Sequence, residues 1–244
     1  MSEIIDIHCH INHGLPGEPV DVEIEKSNLE FLLAERYRLG VGKVALTTYD
    51  AVMKTENVER ENNYLREIVE KHDNVFQWAV IDPRQPNTFI QAEKLLKMPK
   101  TLGLKIHSVC HKYDLVAQSD KIFNFASKHN AVVMMHPDSM QEMVAIMNNY
   151  PKARLIIAHL GSLEHIENIE KAKYGNIYTD TSGGLSYLNN VVEYAVERVG
   201  SEKILFGTDA YSVAFQLGRI VYANIKQEDK DNILYKNAKN IFKI

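Results

Sequence analysis

The chain has 244 residues, 45% of them hydrophobic and 25% charged, with a net charge of −4 at neutral pH. That length suits one α/β barrel of roughly 250 residues and supplies a large core, and the interspersed, slightly acidic charge excludes a basic nucleic-acid footprint or a polybasic membrane patch. No apolar run approaches the ~18 residues of a membrane span, no basic and apolar leader precedes the first strand, and two cysteines, Cys9 and Cys110, make no disulfide framework, so a cytoplasmic, reducing setting is expected.

The stretch Ile4-Ile5-Asp6-Ile7-His8-Cys9-His10 reads as a buried strand running to about Ile11. Side chains alternate along a strand, so His8 and His10 share a face. A Gly/Pro-rich loop follows (Asn12 to Pro19), and its His13 reads as an exposed loop histidine within reach of substrate. Glu25 to Leu39 is expected as a helix with Leu29, Leu32, Leu33 and Tyr37 on one face, closed by Gly40. Lys43 to Tyr49 makes a second strand, Asn57 to Lys71 a polar helix, and Val75 to Ile81 a third strand stopped by Asp82-Pro83. His72 sits where a helix dipole favours a cation and reads as structural.

A helix over Thr88 to Lys97 leads to a fourth strand, Leu102 to His107, with Lys105 and His107 on one face and Leu104 and Ile106 on the other. Helix Asp120 to His129 leads to strand Ala131 to His136, helix Met140 to Asn149 to strand Arg154 to His159, and helix Leu163 to Lys173 to strand Asn176 to Asp180. Helix Leu188 to Val199 leads to the eighth strand, Lys203 to Asp209, and helices over Ala214 to Asn224 and Gln227 to Phe242 close the chain. Eight strands alternating with helices predict a parallel sheet closed into a (β/α)8 TIM barrel, one domain over residues 1–244. An open doubly wound sheet competes less well, since no glycine-rich phosphate loop follows the first strand.

The chemistry gathers at strand ends: His8 and His10 on the first, His107 on the fourth, His136 on the fifth, His159 on the sixth and Asp209 on the eighth. In a barrel these ends meet at one rim, where barrel active sites sit. His72, His129 and His165 fall in helices or at helix ends and are expected in solvent, while His111, past the fourth strand, is open to either reading. Three imidazoles and a carboxylate suit one divalent cation, Zn²⁺ first, with Mn²⁺, Fe²⁺ or Co²⁺ as alternatives. Such an ion lowers the pKa of bound water toward ~7.

The HxH strand, Gly103-Leu104-Lys105-Ile106-His107, Met135-His136-Pro137, Ala158-His159-Leu160-Gly161, the Asn176 to Gly183 segment, Leu205-Phe206-Gly207-Thr208-Asp209 and the final Tyr235 to Phe242 helix together resemble the amidohydrolase superfamily. The resemblance spans nearly the whole chain. It points to the branch holding aminocarboxymuconate semialdehyde decarboxylase-like enzymes and lactonases. It implies that His8, His10 and His136 are metal ligands, that Asp209 is both a ligand and the proton shuttle, and that His159 contacts the reacting group or water. In some members a lysine on the fourth strand is carboxylated and bridges two metals; here one metal is expected, with Lys105 and His107 lining the substrate pocket. Asp6 is expected to face the interior below His8 and orient a ligand imidazole. Asp180 reads equally as a pocket residue or a loop cap. A metal-dependent deoxyribonuclease group shares the HxH start but carries a fourth-strand glutamate, which Gly103-Leu104-Lys105 lacks.

The function expected is a metal-dependent hydrolase of a small molecule: water activated by Asp209 attacks an amide, lactone or other ester carbonyl polarised by the metal and His159. The first alternative is a metal-dependent non-oxidative decarboxylase on the same site; from another class, a non-catalytic metal-binding barrel. The expected partner is the small-molecule substrate, with neither nucleic acid nor membrane; a homo-oligomer is compatible with the sequence. Specificity is expected in the loops Asn12 to Glu23, His111 to Ser119 and Ala210 to Ala214.

Overall fold

A computed structural model describes residues 4–12, 29–183, 188–209 and 211–244. Eight parallel strands pair in sequence order: β1 (Ile4–Ile11), β2 (Val41–Thr48), β3 (Val75–Val80), β4 (Thr101–Ile106), β5 (Val132–Met135), β6 (Arg154–Ile157), β7 (Ile177–Asp180) and β8 (Ile204–Leu205). The chain is a (β/α)8 barrel, as its alternating pattern predicts. Around it run α1 (Leu29–Arg38), the short α2 (Tyr49–Met53), α3 (Val58–Lys71), α4 (Pro86–Leu95), the short α5 (Ser108–His111), α6 (Leu115–His129), α7 (Met140–Asn148), α8 (Leu163–Lys171), α9 (Val191–Val199) and α10 (Val213–Val221). The expected last helix is three pieces: α11 (Gln227–Asp231), a π-helical turn (Asn232–Lys236) and α12 (Asn237–Phe242). No helix among the described residues is long and apolar enough to cross a membrane.

The lower half of the barrel is filled rather than hollow. Ile5, Ile7, Ala45, Phe76, Trp78, Leu102, Val132, Met134, Ile156 and Leu205 form one buried cluster drawn from seven strands, and the C-terminal segment packs beneath it. Phe242 meets Trp78 edge to face at 5.5 Å. Outer apolar layers join the strands to the helices; Cys9 and Ile11, for example, pack with Leu32, Leu65, Ile68 and Val69 of α1 and α3.

These contacts reveal a departure from strict alternation in β1. Ile5 and Ile7 belong to the interior, whereas Cys9 and Ile11 belong to the outer layer. The pairing with β2 slips between Asp6 and Cys9: Asp6 faces Val44 and Cys9 faces Leu46, three steps against two. One extra residue is a β-bulge, which re-aims the side chains that follow it. His8 and His10 therefore point inward above Ile7, while Asp6 points outward. The expectation that Asp6 lies inside, below His8, is corrected by this bulge.

Asp6 instead ties the barrel's seam. Its Oδ1 accepts the backbone N–H groups of His8 and Thr208, each at 3.2 Å. Its Oδ2 accepts Thr208 Oγ1 at 2.7 Å and Arg36 Nε at 3.1 Å. Arg36 also donates to Thr208 Oγ1 at 2.8 Å and to the carbonyl of Leu32. The seam closes by Ile7 N to Phe206 O at 3.0 Å and by Thr208 N and Asp209 N to His8 O, with Cys9 and Asp209 bridged as neighbouring strand residues. Regular pairing of β8 ends at Leu205 because Phe206 N donates to Ile233 O in the π-helical turn. The buried face of α1 is thus Leu32 and Arg36, and Tyr37, expected inward, is 79% exposed. A charged residue displaced an aromatic one because a buried carboxylate needs its counter-ion.

Other differences are local. Helix α6 begins at Leu115 rather than Asp120, with Asp114 Oδ1 capping Ala117 N at 3.1 Å, so most of the expected 111–119 loop is helical. Helix α2 follows β2 directly, capped by Thr48 accepting from Ala51 N at 3.2 Å. His165 is buried rather than solvated: Ser162 Oγ lies 3.0 Å from its Nδ1, and its Nε2 lies 2.9 Å from the carbonyl of Ala158. His111 is also buried, its Nε2 2.9 Å from Ala51 O. His13 and Ala210, and most of the Asn12 to Glu23 loop, lie outside the described residues.

Replacing Arg36 by Met removes the counter-ion of Asp6, whose carboxyl burial already pushes up, and leaves it only the His8 and Thr208 donors, a loss of about 3–5 kcal/mol. The expected result is an unfolding midpoint roughly 10 °C lower by calorimetry. An unchanged midpoint rejects this account of the seam.

Candidate metal centre and active site

Pocket-facing polar residues come from the C-terminal ends of β1, β4, β5, β6 and β8. His8, His10, Lys105, His107, His136, His159 and Asp209 all line one cavity of about 150 Å³, completed by Tyr49, Val52 and Met53 of α2. Every site residue expected from the sequence opens onto it. The three α2 residues were missed because a five-residue helix directly after a strand has too little periodicity to read.

Not all the expected metal donors stand equally close. Donor atoms of His8, His10 and Asp209 lie within 4.8 Å of one another. His136 stands outside that group: its ring stacks on His107 at 4.2 Å between centroids and lies 5.1 Å from that of His159. His8, His159 and Asp180 form a second close group, but its members are joined by hydrogen bonds, among them the 2.8 Å contact between His8 Nδ1 and Asp180 Oδ2. We read it as a scaffold for the rings and not as a second ion position.

The local chemistry fits a cation among His8, His10 and Asp209. His8 gives its Nδ1 proton to Asp180, which leaves a lone pair on Nε2, and the Lys105 ammonium already sits 2.8 Å from it. His10 Nε2 approaches Asp209 Oδ1 to 3.1 Å, a separation that requires a proton or a cation between two lone pairs. Thr47 Oγ1, 2.5 Å from His10 Nδ1, serves either tautomer because a hydroxyl both donates and accepts. A divalent ion would take over the lone pairs that the proton and Lys105 satisfy here.

Asp180, buried at the end of β7, holds the scaffold together. Beyond His8, its Oδ1 accepts Ser182 N at 2.8 Å, His159 N at 3.2 Å and the Ser182 hydroxyl. Ser182 Oγ lies 2.8 Å from His159 Nδ1 and 2.9 Å from His8 Nδ1. His159 and Asp209 both have left-handed backbone, φ 67° and 60°. Such strain costs on the order of 1–3 kcal/mol and persists only where surrounding bonds enforce it. Gly183 lets the network close, for a Cβ there would come within 2.5 Å of His159 Nδ1.

Burial dominates the electrostatics. It holds the imidazoles of His10, His136 and His159 down at about 4 and that of His107 at about 2, so all four are neutral at pH 7. Burial also lowers Lys105 to about 8, against the pull of Asp180 and Asp209. For Asp209 burial opposes ionisation, but the His10 hydrogen bond, joined at acid pH by attraction to the rings of His10, His8 and His159 as they take up protons, outweighs it and keeps the carboxyl well below its usual range. Asp180 behaves likewise through His8.

These shifts fix a sign. Between about pH 6.5 and 4 the unfolded chain binds protons at these histidines that the folded chain refuses, so stability rises with pH across that window. In chelator, the unfolding midpoint is expected to fall steadily as pH is lowered from 7 to 5, and less steeply in His159→Gln. A midpoint that is flat or rises on acidification contradicts neutral buried imidazoles.

Comparison with solved structures gives close likeness of fold. A dihydroxybenzoic acid decarboxylase from Polaromonas sp. JS666, with bound manganese and the inhibitor 2-nitroresorcinol, aligns with a TM-score of 0.80 at 15% identity, over 100% of this chain and 97% of that one. The 5-carboxyvanillate decarboxylase of Sphingomonas paucimobilis aligns at 0.80 and 14% identity over 99% of each chain. The same activity from Novosphingobium aromaticivorans, complexed with manganese and 4-hydroxy-3-methoxy-5-nitrobenzoic acid, aligns at 0.78 and 13% identity, over 99% of this chain and 96% of that one. No curated protein matches the sequence. The family model Amidohydro_2, described as amidohydrolase, matches residues 5–244. That match runs from the first strand through the final helix, and the chain belongs to the amidohydrolase family.

Proposed function

We propose that this chain is a metal-dependent, non-oxidative decarboxylase of a small carboxylic acid. The observation that carries the reading is the Lys105 ammonium, buried at the cavity's base beside the His8, His10 and Asp209 donors. A fixed cation there suits an anionic substrate, and an amide or lactone would leave it unused. Three solved structures of like fold are decarboxylases of aromatic acids, two with manganese, which supports the same direction.

In this reading His8, His10 and Asp209 hold one divalent ion, and His136 faces it across the cavity as a further donor. Mn²⁺ and Zn²⁺ both suit two imidazoles and a carboxylate. The ion would supply Lewis-acid polarisation of a substrate oxygen. Lys105 and His107 bind the acid, and Tyr49, Val52 and Met53 exclude water above it. The bond from carbon to the carboxylate breaks and CO₂ leaves; the carbon takes a proton that His159 Nε2 and the ionised Asp209, both unprotonated at pH 7, first accept from water and then pass on, and CO₂ takes up the hydroxide left behind as bicarbonate. The small cavity restricts the substrate to about one ring.

Hydrolysis of an amide, lactone or other ester is the second reading. It is favoured by the same ionised Asp209, which can take a proton from water.

Product analysis decides between them. With Mn²⁺- or Zn²⁺-loaded protein and a panel of hydroxylated benzoates, lactones and amides, CO₂ release without ring or amide opening is expected. Turnover of lactones or amides alone overturns the decarboxylase. Asp209→Asn is expected to lower kcat about 10²–10⁴-fold with an unchanged circular dichroism spectrum, and full activity refutes its role. Elemental analysis is expected to find near one equivalent of divalent metal, and its removal by chelator to abolish turnover until the ion is restored.

A further inference from the structure

We propose that Ser182 and Asp180 are positioning residues that lock His159 in the tautomer carrying its proton on Nδ1, so that Nε2 enters the cavity with a free lone pair. Ser182 Oγ is hydrogen-bonded to Asp180 Oδ1, and an ionised carboxylate can only accept, so the hydroxyl proton lies between them. The hydroxyl has a single proton and it is now spent, so toward its other partners Ser182 Oγ can only accept. Among them are His159 Nδ1 at 2.8 Å and His8 Nδ1 at 2.9 Å. Both nitrogens must therefore be N–H.

His8 shares its proton between Ser182 Oγ and Asp180 Oδ2, and His159 gives its own to Ser182. One buried carboxylate thus sets two rings: His8 directly and His159 through a hydroxyl. Asp180 and Ser182 are fully buried and His159 is 7% exposed, so water does not compete for these contacts. The two rings lie nearly parallel, 5.1 Å apart at 21°, with their Nδ1 edges on the same oxygen. Their opposite edges face the cavity, where His8 Nε2 meets Lys105.

The inference deepens the proposed function, because it rests on His159 as the group that moves a proton there. It also separates the two positioning residues. Ser182 acts on His159 without being needed for the His8–Asp180 bond, whereas Asp180 acts on both rings.

Long-range proton–nitrogen NMR of protein labelled at the histidine ring nitrogens tests it in the metal-free form, with the His159 signals assigned by their loss in His159→Gln. The wild type is expected to show His159 with Nδ1 protonated and Nε2 bare. Ser182→Ala is expected to move the His159 ring toward the other tautomer, while His8 keeps its Nδ1 proton on Asp180 and Mn²⁺ affinity falls less than in Asp180→Asn. Asp180→Asn is expected to alter both rings and to weaken Mn²⁺ binding about 10–100-fold. A wild-type His159 protonated on Nε2 overturns the proposal whether or not the variants fold. So does a Ser182→Ala protein whose His159 signals stay put, or whose Mn²⁺ affinity falls as far as that of Asp180→Asn. The spectra read the tautomer without substrate, so a failed decarboxylase assay leaves this result standing on its own.

Discussion

Everything at the rim depends on closing the first strand against the last. The Asp6 carboxylate receives the backbone of His8 from one strand and of Thr208 from the other, and Arg36 neutralises it from the helix outside. His8 and Asp209 stand on either side of that knot, with Asp209 N bonded to His8 O. Two residues some two hundred positions apart are thereby held in fixed register. A barrel whose seam slipped by one residue would still bury its apolar layers, but would turn its donors away from one another.

Above the seam, a second buried carboxylate does for the rings what Asp6 does for the backbone. Asp180 collects His8, Ser182 and the His159 main chain at one point. Low exposure makes this arrangement effective in two ways. It keeps the imidazoles neutral, so their lone pairs are available to a cation or a proton, and it strengthens each hydrogen bond that orients them. The same burial makes Lys105 an unusual cation, held between the pull of two carboxylates and the cost of leaving water. The left-handed backbone at His159 and Asp209 is sustained by these contacts.

Several expectations failed for reasons that pattern-reading cannot supply. Strict alternation along Ile4 to Ile11 put Asp6 under His8, but an extra residue between Asp6 and Cys9 reversed the faces. Tyr37 was expected inward by helical spacing, and Arg36 took the buried position because of a carboxylate thirty residues earlier. His165 looked like a solvated helix residue until the carbonyl of Ala158 and the hydroxyl of Ser162 enclosed it. Asp180 stayed ambiguous because its partners, His8 and His159, come from other strands.

The amino-acid sequence by itself determined the barrel and the rim: alternating apolar runs and amphipathic helices dictate eight parallel strands, and His or Asp at their ends marks the face where chemistry gathers. Those signals are local, so they survive without coordinates. Which of these side chains meet was decided only by the tertiary structure. His8, His10 and Asp209 converge while His136 leans on His107, and a single hydroxyl at Ser182 serves two rings. The reason is that a bulge, a seam contact and a proton's position each depend on atoms brought together from distant segments, and one strand's periodicity carries no record of its neighbour's.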